Sequence, residues 1–300
     1  MRFGLVGTGF WAAEIHAAGL AEHPDAQLAG VWGRDPAKAG ALAARYGVPA
    51  YPTPEQLFEA VDAVAFSVPP DVQAPLALAA AGAGKHLLLE KPIALEVPTA
   101  TALVDAAQAA GVASVVFFTH RFAPNVDAFL AGAATADGWT GARAVHFGSI
   151  LTPGNPFGAS PWRHERGGLW DVGPHALSQI LPVLGPVDEV TAMDGPDQTV
   201  YTTMRHRSGA VSSVALSIHM PPPATQYEIV FHGTAGLAPV PHSDVDPVTA
   251  YRSAVQALVT AVATGEPHAC DIRFGAEVVA ILAAADAARG TGRVTPLPKP

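Results

Sequence analysis

Cysteine is nearly absent. Cys270 stands alone among 300 residues, which excludes an internal disulfide and any metal site built from several thiolates, and fits a reducing compartment. Lysine is almost as scarce, with only Lys38, Lys85, Lys91 and Lys299. The formal charge is −9 and the cations form no cluster, so nucleic acid and anionic membrane surfaces are poor partners and a small molecule is the better one. No run approaches the roughly 18 unbroken apolar residues of a membrane span. The opening Arg2-Phe3-Gly4-Leu5-Val6 is too short and too glycine-rich for a secretory leader. His16, His23, His206, His232, His242 and His268 have no ligand-like spacing, so no metal site is expected. These absences describe a cytoplasmic protein that handles small molecules.

What is present is apolar and regular. A chain of this length with 49% hydrophobic residues can bury a large core, and the length suggests two domains. Phe3 to Val6 reads as a short strand, followed at once by Gly7-Thr8-Gly9-Phe10-Trp11-Ala12 and a helical stretch from Glu14 to Glu22. This is the strand, glycine turn and helix of a dinucleotide fold: Gly7 permits the tight turn, Gly9 lets backbone approach a pyrophosphate, and the helix start offers free N–H groups. Leu28 to Trp32 reads as the second strand, with Asp35-Pro36 as cap and first residue of the next helix. A third strand is expected near Val48 to Tyr51 and a fourth at Ala63 to Ser67, ended by Val68-Pro69-Pro70. Further alternation, through Leu87–Glu90 and Ala113–Phe118, completes six βα units of a doubly wound parallel sheet.

After Thr119 the pattern changes. A strand is expected from Ala142 to Leu151, then a loop with Pro153, Pro156 and Pro161, then a helix opened by the Gly167 to His175 segment and running to about Leu184. From Val187 to Phe231 the period is two, with Val214, Leu216 and Ile218 alternating against Ser213, Ala215, Ser217 and His219. Two amphipathic helices close the chain. The reading is an α/β protein: a Rossmann domain over residues 1–119, then an α+β domain over 120–300 with a mostly antiparallel open sheet, its last helices free to pack back toward the first domain.

The stretch Gly84-Lys85-His86-Leu87-Leu88-Leu89-Glu90-Lys91-Pro92 carries the strongest functional signal. Three leucines in a row form a strand buried on both faces, and a charged pair at its carboxyl end sits where open α/β sheets bind ligands. Pro92 makes the chain leave the sheet there.

Four features in order resemble the glucose-fructose oxidoreductase, inositol dehydrogenase and MocA family of nicotinamide-dependent oxidoreductases: the Gly7 to Ala12 turn, Gly84-Lys85-His86 leading to Glu90-Lys91-Pro92, Trp162-Arg163 before a glycine pair, and Asp171-Val172-Gly173-Pro174-His175. Gly233-Thr234-Ala235-Gly236 is similar to a later family signature. The resemblance implies a catalytic group of Lys91, Asp171 and His175. Imidazole titrates in the range needed to take a hydroxyl proton, so His175 is the expected base, with Lys91 facing developing negative charge and Asp171 orienting its neighbours. Either Asp171 or His175 could instead cap or pack the helix start. The resemblance further implies cofactor contacts from Gly7, Thr8, Gly9, Phe10, Trp11, Glu90 and Lys91 and substrate contacts from Trp162, Arg163 and His175; Gly33, Arg34, Val68 and Pro69 are expected at the cofactor by their strand-end positions, and His120, at the domain junction, is expected to face the crevice. Arg163 could equally be a surface residue.

The chain departs from the pattern after the fourth strand, where the family often carries Thr-Pro-Asn and a later histidine but this sequence has Val68-Pro69-Pro70 and Gln73. At the end of the second strand Gly33-Arg34 replaces the usual acid, which favours NADP over NAD because Arg34 can meet a 2′-phosphate. Asp35 turned inward would favour NAD instead. The expected activity is hydride transfer to or from a sugar, cyclitol or similar polyol. The alternatives are a hydrolase using transient oxidation by a held NAD, and a nucleotide-binding sensor without turnover. Homo-oligomerisation through the second sheet is also expected.

Overall fold

The structure, a computed structural model, describes residues 1–297. Its chain divides into two compact units, one of Met1–Ala123 with Val245–Val279 and the other of Pro124–Asp244 with the residues from Ala280 onward. The chain therefore re-enters the first unit after residue 244, where the sequence reading draws one boundary at 119/120. Among the described residues no helix is long and apolar enough to cross a membrane.

The first unit is built on β1 (Arg2–Val6), β2 (Gln27–Trp32), β3 (Ala63–Phe66), β4 (His86–Glu90) and β5 (Ser114–Phe117), all parallel in the order β2-β1-β3-β4-β5. Burial on both faces explains the unbroken apolar runs: Leu87, Leu88 and Leu89 are all fully buried. The expected strand at Val48 to Tyr51 is reduced to a single bridge between Val31 and Ala50. Pro49 and Pro52 have no N–H to donate, so only the Pro49 carbonyl and the Tyr51 amide bond to Val31. The parallel connections run through α1 (Ala17–Ala21, preceded by a π-helical stretch Ala12–His16), α2 (Pro36–Tyr46), α3 (Pro54–Glu59), α4 (Pro70–Gly82) and α5 (Val97–Ala109). The order reverses between β1 and β3, so their carboxyl ends mark the switch point where such sheets bind ligands.

The second unit opens with α6 (Pro124–Ala134) and β6 (Trp139–Phe147), followed by α7 (Pro161–Asp171) and α8 (Gly173–Leu184). β6 stops before the expected Leu151, and Ser149 makes only an isolated bridge to His219. α7 begins at Pro161, within the expected loop of Pro153, Pro156 and Pro161, so helix stands there in place of loop. Gly167 interrupts α7 with φ 65° and ψ −162°, and the helix expected to open with the Gly167 to His175 segment is divided at Val172, between α7 and α8. The sheet continues with β7 (Val187–Asp194), β8 (Val200–His206), β9 (Val211–Ser217), β10 (Gln226–Gly233) and β11 (Gly236–Pro239). Its order is β11-β10-β6-β9-β8-β7-β12, the last strand being Thr295–Pro296. Every pair is antiparallel except β6 with β9. The period-two pattern is realised in β8, where burial alternates residue by residue. On β9 the expected exposed row is shortened, because Ser217 is fully buried and only Val211, Ser213 and Ala215 retain access to solvent. α9 (Pro247–Thr264) packs on β4, β5 and α1 in the first unit, and α10 (Ile272–Thr291) passes from the first unit to the second.

Candidate active site

In the first unit the glycine turn is built by steric necessity. Gly7 has φ +133°, and a Cβ there would lie 2.3 Å from the Ser67 carbonyl oxygen at the end of β3. The Gly7 amide donates to Trp32 O and the Ser67 amide to Val6 O, so three strand ends are tied at this point. Gly9 is the opposite case: a Cβ there would meet nothing within 4 Å. Residues 10–21 are helical, and the first turn closes with Ala13 N donating to Gly9 O. Open backbone at Gly9 ahead of a helix start fits the pyrophosphate of a dinucleotide. Ala12, fully buried, occupies the third small position of the turn. Thr8 packs on Gly33, where a Cβ would strike its Cγ2 at 2.5 Å. Asp35 caps α2, accepting from Ala37 N and Lys38 N, so it is committed to the helix. Arg34 is exposed and meets no acceptor among the described residues.

The end of β4 is held by a side-chain network that the sequence analysis did not find. Gln73, fully buried in the first turn of α4, donates through Nε2 to Glu90 O and accepts from Glu90 N through Oε1, both at 2.8 Å. The residue read as a departure is thus the clamp on Glu90. Trp11 Nε1 donates to Glu90 Oε1 at 2.8 Å, His16 Nε2 lies 2.9 Å from the same oxygen, and Lys91 N donates to Glu90 Oε2. The Lys91–Pro92 peptide is cis. Tyr251 of α9 lies against His16 with its ring tilted, and burial together with the Glu90 charge raises its phenol pKa well above the ordinary value. Val68 and Pro69, half-buried, link β3 to α4, with Pro69 O accepting from Val72 N and Gln73 N. His120 lies in a short 3₁₀ turn after β5, half-buried.

In the second unit, Asp171 does not cap α8, whose N-cap is Val172. Its buried carboxylate accepts from Arg163 Nε at 3.0 Å, and the guanidinium lies over the rings of Trp162 and Phe157. Arg163 is mostly buried rather than a mobile surface group. The Gly167 kink is what lets a residue eight positions earlier reach Asp171. His175 is buried in the first turn of α8, its carbonyl accepting from Ser178 Oγ and Gln179 Nε2. Its ring lies 5.8 Å from that of His146, which in turn stands edge-on to Tyr227, the residue directly opposite on β10. Gln179 Nε2 also donates to the Tyr227 hydroxyl. Burial raises the Tyr227 pKa, and the Gln179 bond opposes that shift. His146, Gln179 and Tyr227 carried no motif and were not foreseen. Lys91 belongs to the first unit, and Asp171 and His175 to the second.

Comparison with known proteins adds two kinds of likeness. Residues 1–118 match a family described as oxidoreductases with an NAD-binding Rossmann fold, and residues 133–238 match its GFO/IDH/MocA C-terminal domain. The chain is 30% identical over 307 aligned positions to D-xylose 1-dehydrogenase (NADP(+)) 2 of Haloferax volcanii, spanning 90% of this chain and 92% of that protein. Among solved structures, GenD2 from gentamicin A biosynthesis, in complex with NAD, superposes with a TM-score of 0.87 at 22% identity, covering 100% of this chain and 97% of that one. A myo-inositol dehydrogenase from Corynebacterium glutamicum superposes at 0.85 with 20% identity, covering 100% and 99%. These two likenesses are of fold.

Proposed function

This chain belongs to the GFO/IDH/MocA oxidoreductase family, and from that premise we propose that it is an NAD(P)-dependent dehydrogenase or reductase of a CH–OH group on a sugar, cyclitol or similar small polyol. The observation that carries the reading is the Gly7 turn, in which backbone alone fills the switch point and Gly9 leaves room for a pyrophosphate. The turn amides before Ala13, with Thr8, Phe10 and Trp11 around them and Val68-Pro69 across the switch point, would hold the dinucleotide. When bound, the nicotinamide accepts or supplies a hydride.

The chain's own residues supply the rest. His175 takes the hydroxyl proton in the oxidative direction and returns it in reduction. Lys91 places an ammonium against the negative charge that develops on the substrate oxygen. Asp171, fixed by Arg163, orients the polar end of the substrate. Trp162 and His120 complete the proposed substrate contacts. A sugar-like substrate agrees with the xylose named for the relative that matches 90% of the chain.

NADP is the proposed cofactor. Asp35 is spent on the α2 cap and Gly33 carries no carboxylate, while Arg34 is exposed and can take a 2′-phosphate in a bidentate, charge-assisted contact. The single buried cysteine supports a reducing, cytoplasmic setting. The test is initial rates against aldoses, cyclitols and diols with each nucleotide, together with fluorescence titration of NADPH and NADH. Turnover of at least one such alcohol, with tighter NADPH binding that weakens about 10-fold or more in Arg34→Ala, is expected. No turnover and no nucleotide binding would overturn the function, whereas tighter NADH binding that weakens in Asp35→Ala would reverse the cofactor assignment.

A further inference from the structure

His16 has no place in the chemistry above, and it is too deep to touch a ligand, being fully buried. Its surroundings are nevertheless specific. Glu90 Oε1 accepts from Trp11 Nε1, a group that can only donate, so the carboxylate is the acceptor there and His16 must carry its proton on Nε2 to share the same oxygen. On the other face the imidazole is wedged against the Tyr251 ring, with centroids 4.2 Å apart, and the Phe117 ring stands edge-on at 6.0 Å. Gly19 makes that wedge possible, since a Cβ there would lie 2.6 Å from Tyr251 Cδ1. His16 Nδ1 and the Tyr251 hydroxyl are both buried without a hydrogen-bond partner. A buried polar ring with one nitrogen orphaned is retained at a cost that Nε2 alone must justify.

The Nε2 contact leads directly to Lys91. Glu90 is 13% exposed in its side chain, its Oε2 accepts from the Lys91 amide, and its own amide and carbonyl are both taken by Gln73. The carboxylate is therefore fixed at one oxygen by the helix after the glycine turn and at the other by the residue whose ammonium is proposed to act. We propose that His16 is a positioning residue for Lys91, acting through Glu90: it holds the carboxylate that anchors the start of the Lys91 side chain. The effect on turnover rests on the catalytic reading of Lys91; the positional effect does not.

The scarcity of lysine supplies a readout that needs no turnover. Reductive 13C-dimethylation retains the ammonium charge, and with only four lysines in the chain the Lys91 signal is assigned by its loss in Lys91→Met. His16→Leu should shift that signal and lower kcat roughly 10- to 100-fold, the scale of a misplacement of about 1 Å, with the nucleotide dissociation constant changed less than about threefold. His16→Gln, whose Nε2 can still donate to Glu90, should restore both. Glu90→Gln, which preserves volume, should shift the signal even where His16→Leu does not fold. An unmoved Lys91 signal in both His16→Leu and Glu90→Gln overturns the inference. So does a His16→Gln variant as impaired as His16→Leu. If the signal moves as expected but Lys91→Met keeps near-normal kcat, the positioning stands and the catalytic role of Lys91 falls.

Discussion

The proposed mechanism divides one task between the charge of Lys91 and proton transfer by His175, so their variants should fail differently. Lys91→Met should remove turnover while leaving nucleotide binding within about tenfold, because the ammonium is proposed to act on charge that appears only in the transition state. His175→Ala should lose turnover as well but recover part of it at high pH, where solvent takes the proton. A pH–rate profile unchanged by His175→Ala would count against the base. A different histidine contributes to the pH dependence of stability. His206 is buried, with Nδ1 donating to Gly185 O and Nε2 accepting from Ser212 Oγ. Burial lowers its pKa below the ordinary 6.5, with the Gly185 bond opposing. The unfolded chain therefore binds a proton there before the folded protein does. The contribution is complete above about pH 6.5 and is lost as pH falls toward the depressed value, at no more than about 1.4 kcal/mol per pH unit. Denaturant titrations between pH 7.5 and 5 should show this slope, and His206→Asn, which retains a donor for Gly185, should be less stable at pH 7.5 but flatter with pH. At this scale the sequence revealed the motif residues Gly7, Lys91, Asp171 and His175. It concealed Gln73, His16 and the Arg163–Asp171 pair, because each depends on a contact whose partner is set by the path of the backbone.

Among the elements, α7 shows most clearly how local structure sets the candidate site. Gly167 has φ 65° and ψ −162°, a combination that residues with a Cβ almost never adopt. Without that kink, Arg163 and Asp171 would be eight residues apart along a straight helix and could not pair. Gly167→Ala should cost roughly 1–3 kcal/mol in thermal or denaturant unfolding, and should lower kcat through misplacement of Asp171. A fully active Gly167→Ala enzyme would separate the Arg163 pairing from catalysis. The glycine pair is visible in the sequence as a motif, but the positive φ of Gly167 is not, and neither is the helical segment from Pro161 that stands where the sequence suggests a loop. Elements with a strong period fared better. The alternation of β8 and β9 and the buried leucines of β4 were legible because burial on one face, or on both, leaves a direct imprint on residue type.

For the molecule as a whole, the open face of the second sheet carries the last prediction. Cross-strand rows bring Met193, Tyr201, Ala215 and Val145 into line, and Val211 lies on the same face. Met193 is 71%, Tyr201 50% and Leu237 72% exposed, which is unusual for side chains of that size. The face is more charged than the sequence suggested, since Arg205 pairs with Glu189 and Arg143 with Glu228 across it. Self-complementary pairing of two copies would cover the apolar rows and keep these ion pairs at a rim. Light scattering at micromolar concentration should report a dimer or a multiple of it, reduced by Tyr201→Glu with Met193→Glu. A monomeric mass for the unaltered chain would refute the pairing.

The order of elements, the type of each sheet and the family followed from sequence alone, because local spacing records burial and turn geometry wherever neighbours along the chain are also neighbours in space. The sequence left the last helices free to pack back, and tertiary structure decided that α9 joins the first unit and brings Tyr251 against His16. It also decided the commitment of Asp35 to a cap, the loss of the strand near Ala50, and the four side-chain hydrogen bonds that close on Glu90. Each of these is a choice among several acceptors or partners that the sequence permits equally. Packing at long range leaves only one of them within hydrogen-bonding reach.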